Sequence, residues 1–154
     1  MSKSLITHAV DIDEQKLINA VEERLYTSKE TAYKIVNNQF FKSSSYYTDY
    51  INMRINQFDT IKRMRLHFQR FNIPVEQMNV MADFTLCVSE NISEMNDCKS
   101  LLMDLEILRI EFKKMELPKT REEFESRAQL LQFLNDMEEF LLIKRNFFTT
   151  MKNH

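Results

Sequence analysis

The residues of this chain best suited to metal or nucleophilic chemistry are three histidines and two cysteines. His8, His67 and His154 share no helical spacing with one another, and none follows a glutamate by three residues. Helix bundles build di-metal sites from glutamates and Glu-x-x-His pairs on facing helices, so the pattern a metal would need is missing. No metal is expected, and His67, beside Phe68, is expected to be an ordinary helix-surface residue. Cys87 and Cys98 form no CxxC motif and read as free thiols in a reducing compartment. Cys87 is expected on the apolar flank of a helix as a small core hydrophobe. Cys98 falls in a turn and could be exposed. Nucleophilic catalysis needs a nucleophile, a base and an orienter in contact, and neither thiol has such neighbours in sequence. No phosphate-binding loop or dinucleotide fingerprint occurs. The expectation is a non-enzyme without a cofactor.

Charged and aromatic residues offer two further possibilities. Arg54, Lys62, Arg63, Arg65 and Arg70 load one helix and form a possible basic surface, interleaved with aromatics. Phe58, Phe68 and Phe71 stand at core spacing, however, which argues against stacking on bases and makes nucleic acid a disfavoured partner. The arginines are expected to pair with acidic faces of neighbouring helices, such as Glu106, Glu111 and Glu116. Anionic lipid headgroups are the other possible partner, if the domain is held near a membrane. The tyrosines of "YYTDY" (Tyr46, Tyr47, Tyr50) allow an aromatic-lined ligand cavity. A methionine-filled core, or a surface buried against a partner, explains the same residues more simply.

These side chains must be carried by helices. The 154 residues include no glycine and 2 prolines, where average usage would give roughly ten glycines. Sheets, hairpins and phosphate loops lean on glycine for positive φ, whereas helices are better without it. The fold class is all-α. A net charge of −2 creates no global field for nucleic acid or lipid. The run "FLLI", Phe140 to Ile143, is far too short to span a bilayer, and no signal peptide is visible. A soluble, cytosolic chain is expected.

Residues 1–10 read as a flexible lead or cloning remnant, and 11–152 as a single helical-bundle domain. "DIDE" is expected to open the first helix, with Asp11 as N-cap and Glu14 completing a capping box. Leu17, Ala20, Val21, Leu25, Ala32, Ile35, Val36 and Phe40 would form its buried face. "KSSSYY" ends it by serine competition for backbone hydrogen bonds. A second helix follows, with Tyr47, Ile51, Ile55, Phe58, Ile61, Met64 and Phe68 at helical spacing. It stops at "FNIPV", with Pro74 in the first turn of helix three. That helix carries Val80, Met81, Phe84, Cys87, Val88, Ile92 and Met95. "NDCK" turns into a fourth, strongly apolar helix, "SLLMDLEILRIEFKKME". Short connections favour antiparallel neighbours, so the architecture is an elongated up-and-down antiparallel bundle of four to five helices.

The closing stretch, "LPKTREEFESRAQLLQFLNDMEEFLLIKRNFF" (Leu117 to Phe148), is the most strongly patterned. Thr120 and Glu123 make a capping box, while Glu122 and Glu123 suit the positive end of the helix dipole. Lys144 and Arg145 suit its negative end, and Glu123 and Arg127 form an i,i+4 pair. Phe124, Ala128, Leu130, Leu131, Leu134, Met137, Leu141 and Phe148 form the expected buried stripe. Arg121, Arg127 and Asn135 are the polar positions that capping and packing explain least.

This stretch resembles the C-terminal signature of the bacterial putative aromatic acid exporter family, which is similar to fusaric-acid-resistance transporters. "YYTDYINMRINQ" and "VMADFTLCVSENISEMN" fit the order of segments upstream. The signature positions carried across are Leu117, Pro118, Thr120, Arg121, Glu122, Glu123, Phe124, Arg127, Ala128, Asn135, Glu138 and Lys144. Members of that family carry transmembrane helices ahead of this domain, and this chain shows none. The resemblance implies a cytoplasmic appendage at the inner face of the cell membrane, non-catalytic, helping assembly or gating. Its implied partner is the membrane half of the same transporter or a copy of itself. A stand-alone helical adaptor and an aromatic-ligand-sensing bundle are the alternatives.

Overall fold

The computed structural model describes residues 2–38, 45–68, 75–93 and 96–152. Among them the chain is all-α, in five helices: α1 (Ser2–Asn38), α2 (Ser45–Phe68), α3 (Val75–Asn91), α4 (Lys99–Lys113) and α5 (Arg121–Lys152). It divides into two compact units, Met1–Ile55 and Asn56–His154, with the boundary inside α2.

In the first unit, α1 already begins at Ser2, so Asp11 lies inside the helix rather than at its N-cap. Helical residues upstream supply the hydrogen bonds that a cap would otherwise complete. The expected buried face of α1 also requires correction. Ala32 is buried, but Leu17, Ala20 and Ile35 are exposed, and Val21, Leu25 and Val36 are half-buried. Periodic apolar residues create a stripe; they do not determine whether a partner covers it. Phe40 lies outside the described residues, as do Lys42 to Ser44 of the serine break. The remaining residues of that segment, Ser45 to Tyr47, already belong to α2. Tyr46 stacks on Tyr50 (ring centroids 6.2 Å apart) and meets Tyr47 edge-on at 5.6 Å. The tyrosines therefore pack along one helix.

The second unit holds the core. Met64 of α2, Met81, Phe84 and Val88 of α3, and Leu101, Leu105 and Leu108 of α4 meet one stripe of α5. That stripe is Leu130, Phe133, Leu134, Met137, Phe140 and Leu141, recurring at three- and four-residue spacing. Contacts fix the directions of the helices. Arg127 reaches the Glu116 carbonyl, Arg109 reaches Asn135 and Glu138, and Lys99 shares a groove with Arg145 and Thr149. Thus α4 and α5 run antiparallel. Gln57 Nε2 donates to the Phe140 carbonyl at 3.1 Å, while Arg63 bonds Asp136. The second part of α2 therefore also opposes α5. Pro74, Phe71 and Met95 lie outside the described residues.

Cys98 is fully buried rather than exposed, a further correction. It sits in the left-handed region (φ 57°, ψ 11°), which residues other than glycine rarely enter. With no glycine in the chain, the turn uses a small side chain that can enter the core. Asn96 Oδ1 accepts from the Cys98 amide at 2.7 Å, and Asp97 Oδ1 accepts from that of Lys99 at 3.2 Å. The Lys99 amide is the first cause that holds the Asp97 carboxyl below its usual range. Cys87 packs half-buried against the core, as its spacing implies.

Candidate functional site

The closing helix opens as its sequence requires. Thr120 Oγ1 accepts from the Glu123 amide at 3.1 Å, and Glu123 Oε2 reaches back to the Lys119 amide at 2.5 Å. The reciprocal half of the capping box thus lands one residue before Thr120. Thr120→Ala is expected to cost about 1 kcal/mol. The check is a lower denaturation midpoint with unchanged m-value.

Glu123 is therefore not the partner of Arg127, contrary to the i,i+4 expectation. Arg127 instead donates Nη2 to the Glu116 carbonyl, closing the α4–α5 elbow over a free backbone acceptor. Arg121 is almost wholly exposed and bonds Glu125 at 2.8 Å, which holds its pKa above the ordinary arginine value. Leu117, Glu122, Phe124 and Ala128 are exposed, and Leu131 is half out of the core. The stripe expected through Phe124, Ala128 and Leu131 is thus not the buried one in that half of α5. Pro118 is half-buried. Lys144 is wholly buried, and α5 continues to Lys152, so Lys144 does not serve the helix end.

Five consecutive residues of α5, Asn135-Asp136-Met137-Glu138-Glu139, form a polar constellation that reaches two other helices. Met137 points into the core. On one side, at i,i+3 spacing, Asn135 and Glu138 accept from Arg109 of α4, each at 2.8 Å. Glu106 approaches the same guanidinium at 3.6 Å. On the other side, Asp136 Oδ1 accepts from Arg63 Nε of α2 at 3.0 Å and from Gln132 at 3.1 Å, and Glu139 also bonds Arg63. Burial works against the charge of Arg63, but the bonds and charges of Asp136 and Glu139 outweigh it and raise its pKa. Asp136 is only 2% exposed, and its Oδ2 has no hydrogen bond, with His67 Nε2 at 3.6 Å. One segment of α5 thereby clamps α4 on one flank and α2 on the other.

The possible basic surface is dispersed by these contacts. Arg63 is committed to α5, and Lys62 pairs with Asp59 at 2.9 Å across the Phe58 ring. Arg54, in the first unit, bonds the Tyr50 hydroxyl at 3.0 Å and lies over its ring. Arg65 is half-buried, and Arg70 lies outside the described residues. The acidic partner of Arg63 is α5, not Glu106, Glu111 or Glu116. The family resemblance singled out Asn135 and Glu138 but left out Asp136, Glu139 and Arg109. The signal was present as the doubled i,i+3 pairs flanking Met137.

Nothing in this constellation holds a reacting atom between a nucleophile and a base. Among the described residues, no three histidines, cysteines or carboxylates gather as metal ligands. The arrangement positions helices. Comparison with known proteins decides the family, because residues 1–145 match the one described as "putative aromatic acid exporter C-terminal domain". The chain belongs to this family. It is 35% identical over 132 residues to "Uncharacterized protein YqjA" of Bacillus subtilis (strain 168). That match spans 86% of this chain and 41% of the relative. No solved structure matches the chain. Among its described residues, no helix of the chain is long and apolar enough to cross a membrane.

Proposed function

We infer that this chain is a non-catalytic interaction or regulatory domain that helps a membrane-embedded exporter half assemble or gate. The observation that carries this reading is the match of residues 1–145 to a domain of exporters. In the B. subtilis relative, the matched region is less than half of the protein. The geometry is compatible with the reading. The polar side chains of "NDMEE" are spent on holding helices, while apolar side chains remain outside. Met103, Ile107 and Ile110 form an exposed stripe on α4, opposite its buried leucines. An exposed apolar stripe of this kind suits burial against a protein surface. The domain then lies at the cytoplasmic face of the membrane, with the exporter half or a second copy of itself as partner.

The gene supplies the first test. Upstream of Met1 the reading predicts, in the same frame, about six apolar segments of roughly 20 residues each. A genuine start at Met1, with no membrane half encoded nearby, would sink it.

A further inference from the structure

α4 carries an apolar seam on the side away from its core leucines. Met103, Ile107 and Ile110 stand four and three residues apart and are all exposed, Met103 at 68%. That spacing is the one by which two helices interlock their side chains. Ser100, three residues before Met103, and Lys114, four after Ile110, close the seam, so it spans about two turns. One flank of it is acidic. Asp104 and Glu111 stand there exposed, seven residues apart. Among the described residues, neither carboxylate forms an ion pair or a hydrogen bond. The other flank is mixed and partly satisfied: Lys99 meets Asp97 at 3.5 Å, Glu106 meets Arg109 at 3.6 Å, and Lys113 follows.

We propose that this seam docks an amphipathic helix of another protein, one with Lys or Arg along the edge that meets Asp104 and Glu111. Its apolar stripe packs on Met103, Ile107 and Ile110, and the two unpaired carboxylates choose the partner. A second copy of this chain fits poorly. Packed antiparallel, the two α4 helices would set the Asp104 and Glu111 flank of one against the same flank of the other. Packed parallel, flanking positions five residues apart meet across the pair. Glu106 would then face Glu111 of the copy and cancel what Lys99 gains at Asp104. Like charges so placed repel. The inference rests on reading the α4 stripe as a protein interface, but not on an exporter half supplying the helix.

The test is a fluorescence-anisotropy titration of this chain into two labelled helical peptides, each held at trace concentration to prevent self-pairing. Both carry leucine on a seam of alternating four- and three-residue spacing over about three heptads. One has lysine on its flanks and the other glutamate. At low salt the lysine peptide is expected to bind saturably and about tenfold more tightly, through ion pairs gained and repulsions avoided. Asp104→Lys with Glu111→Lys, both at exposed positions, should reverse that order. Ile107→Gln, also exposed, should weaken both peptides about tenfold. Circular dichroism checks that each variant keeps its helices. Equal affinity for the two peptides would overturn the assignment, as would an order unchanged in the double variant or binding untouched by Ile107→Gln. The absence of saturable binding would overturn it too, and so would self-association of the chain that Ile107→Gln abolishes. Failure of the exporter reading shows separately, as equal sedimentation with membranes that have and lack the exporter half.

Discussion

Phe133→Ala is expected to destabilise the Asn56–His154 unit by about 3–5 kcal/mol, the usual cost of emptying a buried phenylalanine site. Phe124→Ala, in the same helix, is expected to change stability by no more than about 0.5 kcal/mol. The contrast follows from burial: Phe133 is 1% exposed and Phe124 is 63% exposed. Phe133 sits in the stripe that meets α3 and α4, whereas Phe124 stands beyond the elbow on the first turn of α5. Urea unfolding of the two variants, followed by circular dichroism, measures both values. Equal losses would mean that α5 is rotated from the orientation described, because only one of the two rings can face the core.

The second large effect concerns the α2–α5 clamp. Arg63→Ala leaves the nearly buried Asp136 carboxylate with Gln132 on Oδ1 and only His67, at 3.6 Å, near Oδ2. Breaking a fully buried ion pair costs about 3–5 kcal/mol. The Arg63 side chain is 43% exposed, so water replaces part of what it supplies. A loss of about 2 kcal/mol is therefore expected. Replacing both partners, Arg63→Leu with Asp136→Leu, should recover most of that loss, because no charge is then left stranded. Arg121→Ala, which breaks an exposed pair with Glu125, should cost less than about 0.5 kcal/mol. If Arg63→Ala were as mild as Arg121→Ala, the clamp would have no structural role.

Much of this architecture was legible in the residues, and the misses have physical causes. The lack of glycine, the capping box at Thr120 and the periodicity of Leu130 to Leu141 define the helical class and the start of α5 without reference to coordinates. Periodicity alone could not separate the two apolar stripes of α5, since Phe124 and Leu131 satisfy helical spacing as well as Leu130 and Phe133 do. What decides between them is the position of α4, and that depends on contacts distant in sequence. Asp11 shows the same limit from the other side. A cap sequence marks a helix start only when the preceding residues are not helical, and here α1 begins at Ser2. Lys144 had the charge expected near a helix end, but α5 runs about two turns further.

The site was legible in outline. Arg121, Arg127 and Asn135 were marked as the polar positions that capping and packing explain least; Arg127 and Asn135 prove to join α4 to α5, whereas Arg121 only bonds Glu125 on its own helix. Arg109 escaped notice because its value lies in Asn135 and Glu138, 26 and 29 residues away. Cys98 escaped because a left-handed turn without glycine is invisible to patterns built on glycine. The basic surface failed for a related reason. Arg63 is one of a run of cations in sequence, but a charge run reveals nothing about which acidic residues fold against it.

The central claim, that this domain associates with an exporter's membrane half, is tested most directly by co-sedimentation. The purified chain is mixed with membranes that contain the membrane half and with matched membranes that lack it. The account predicts that the chain pellets with the first and stays in the supernatant with the second, with binding that saturates at a fixed ratio to the membrane half. Equal partition between the two membranes would contradict it.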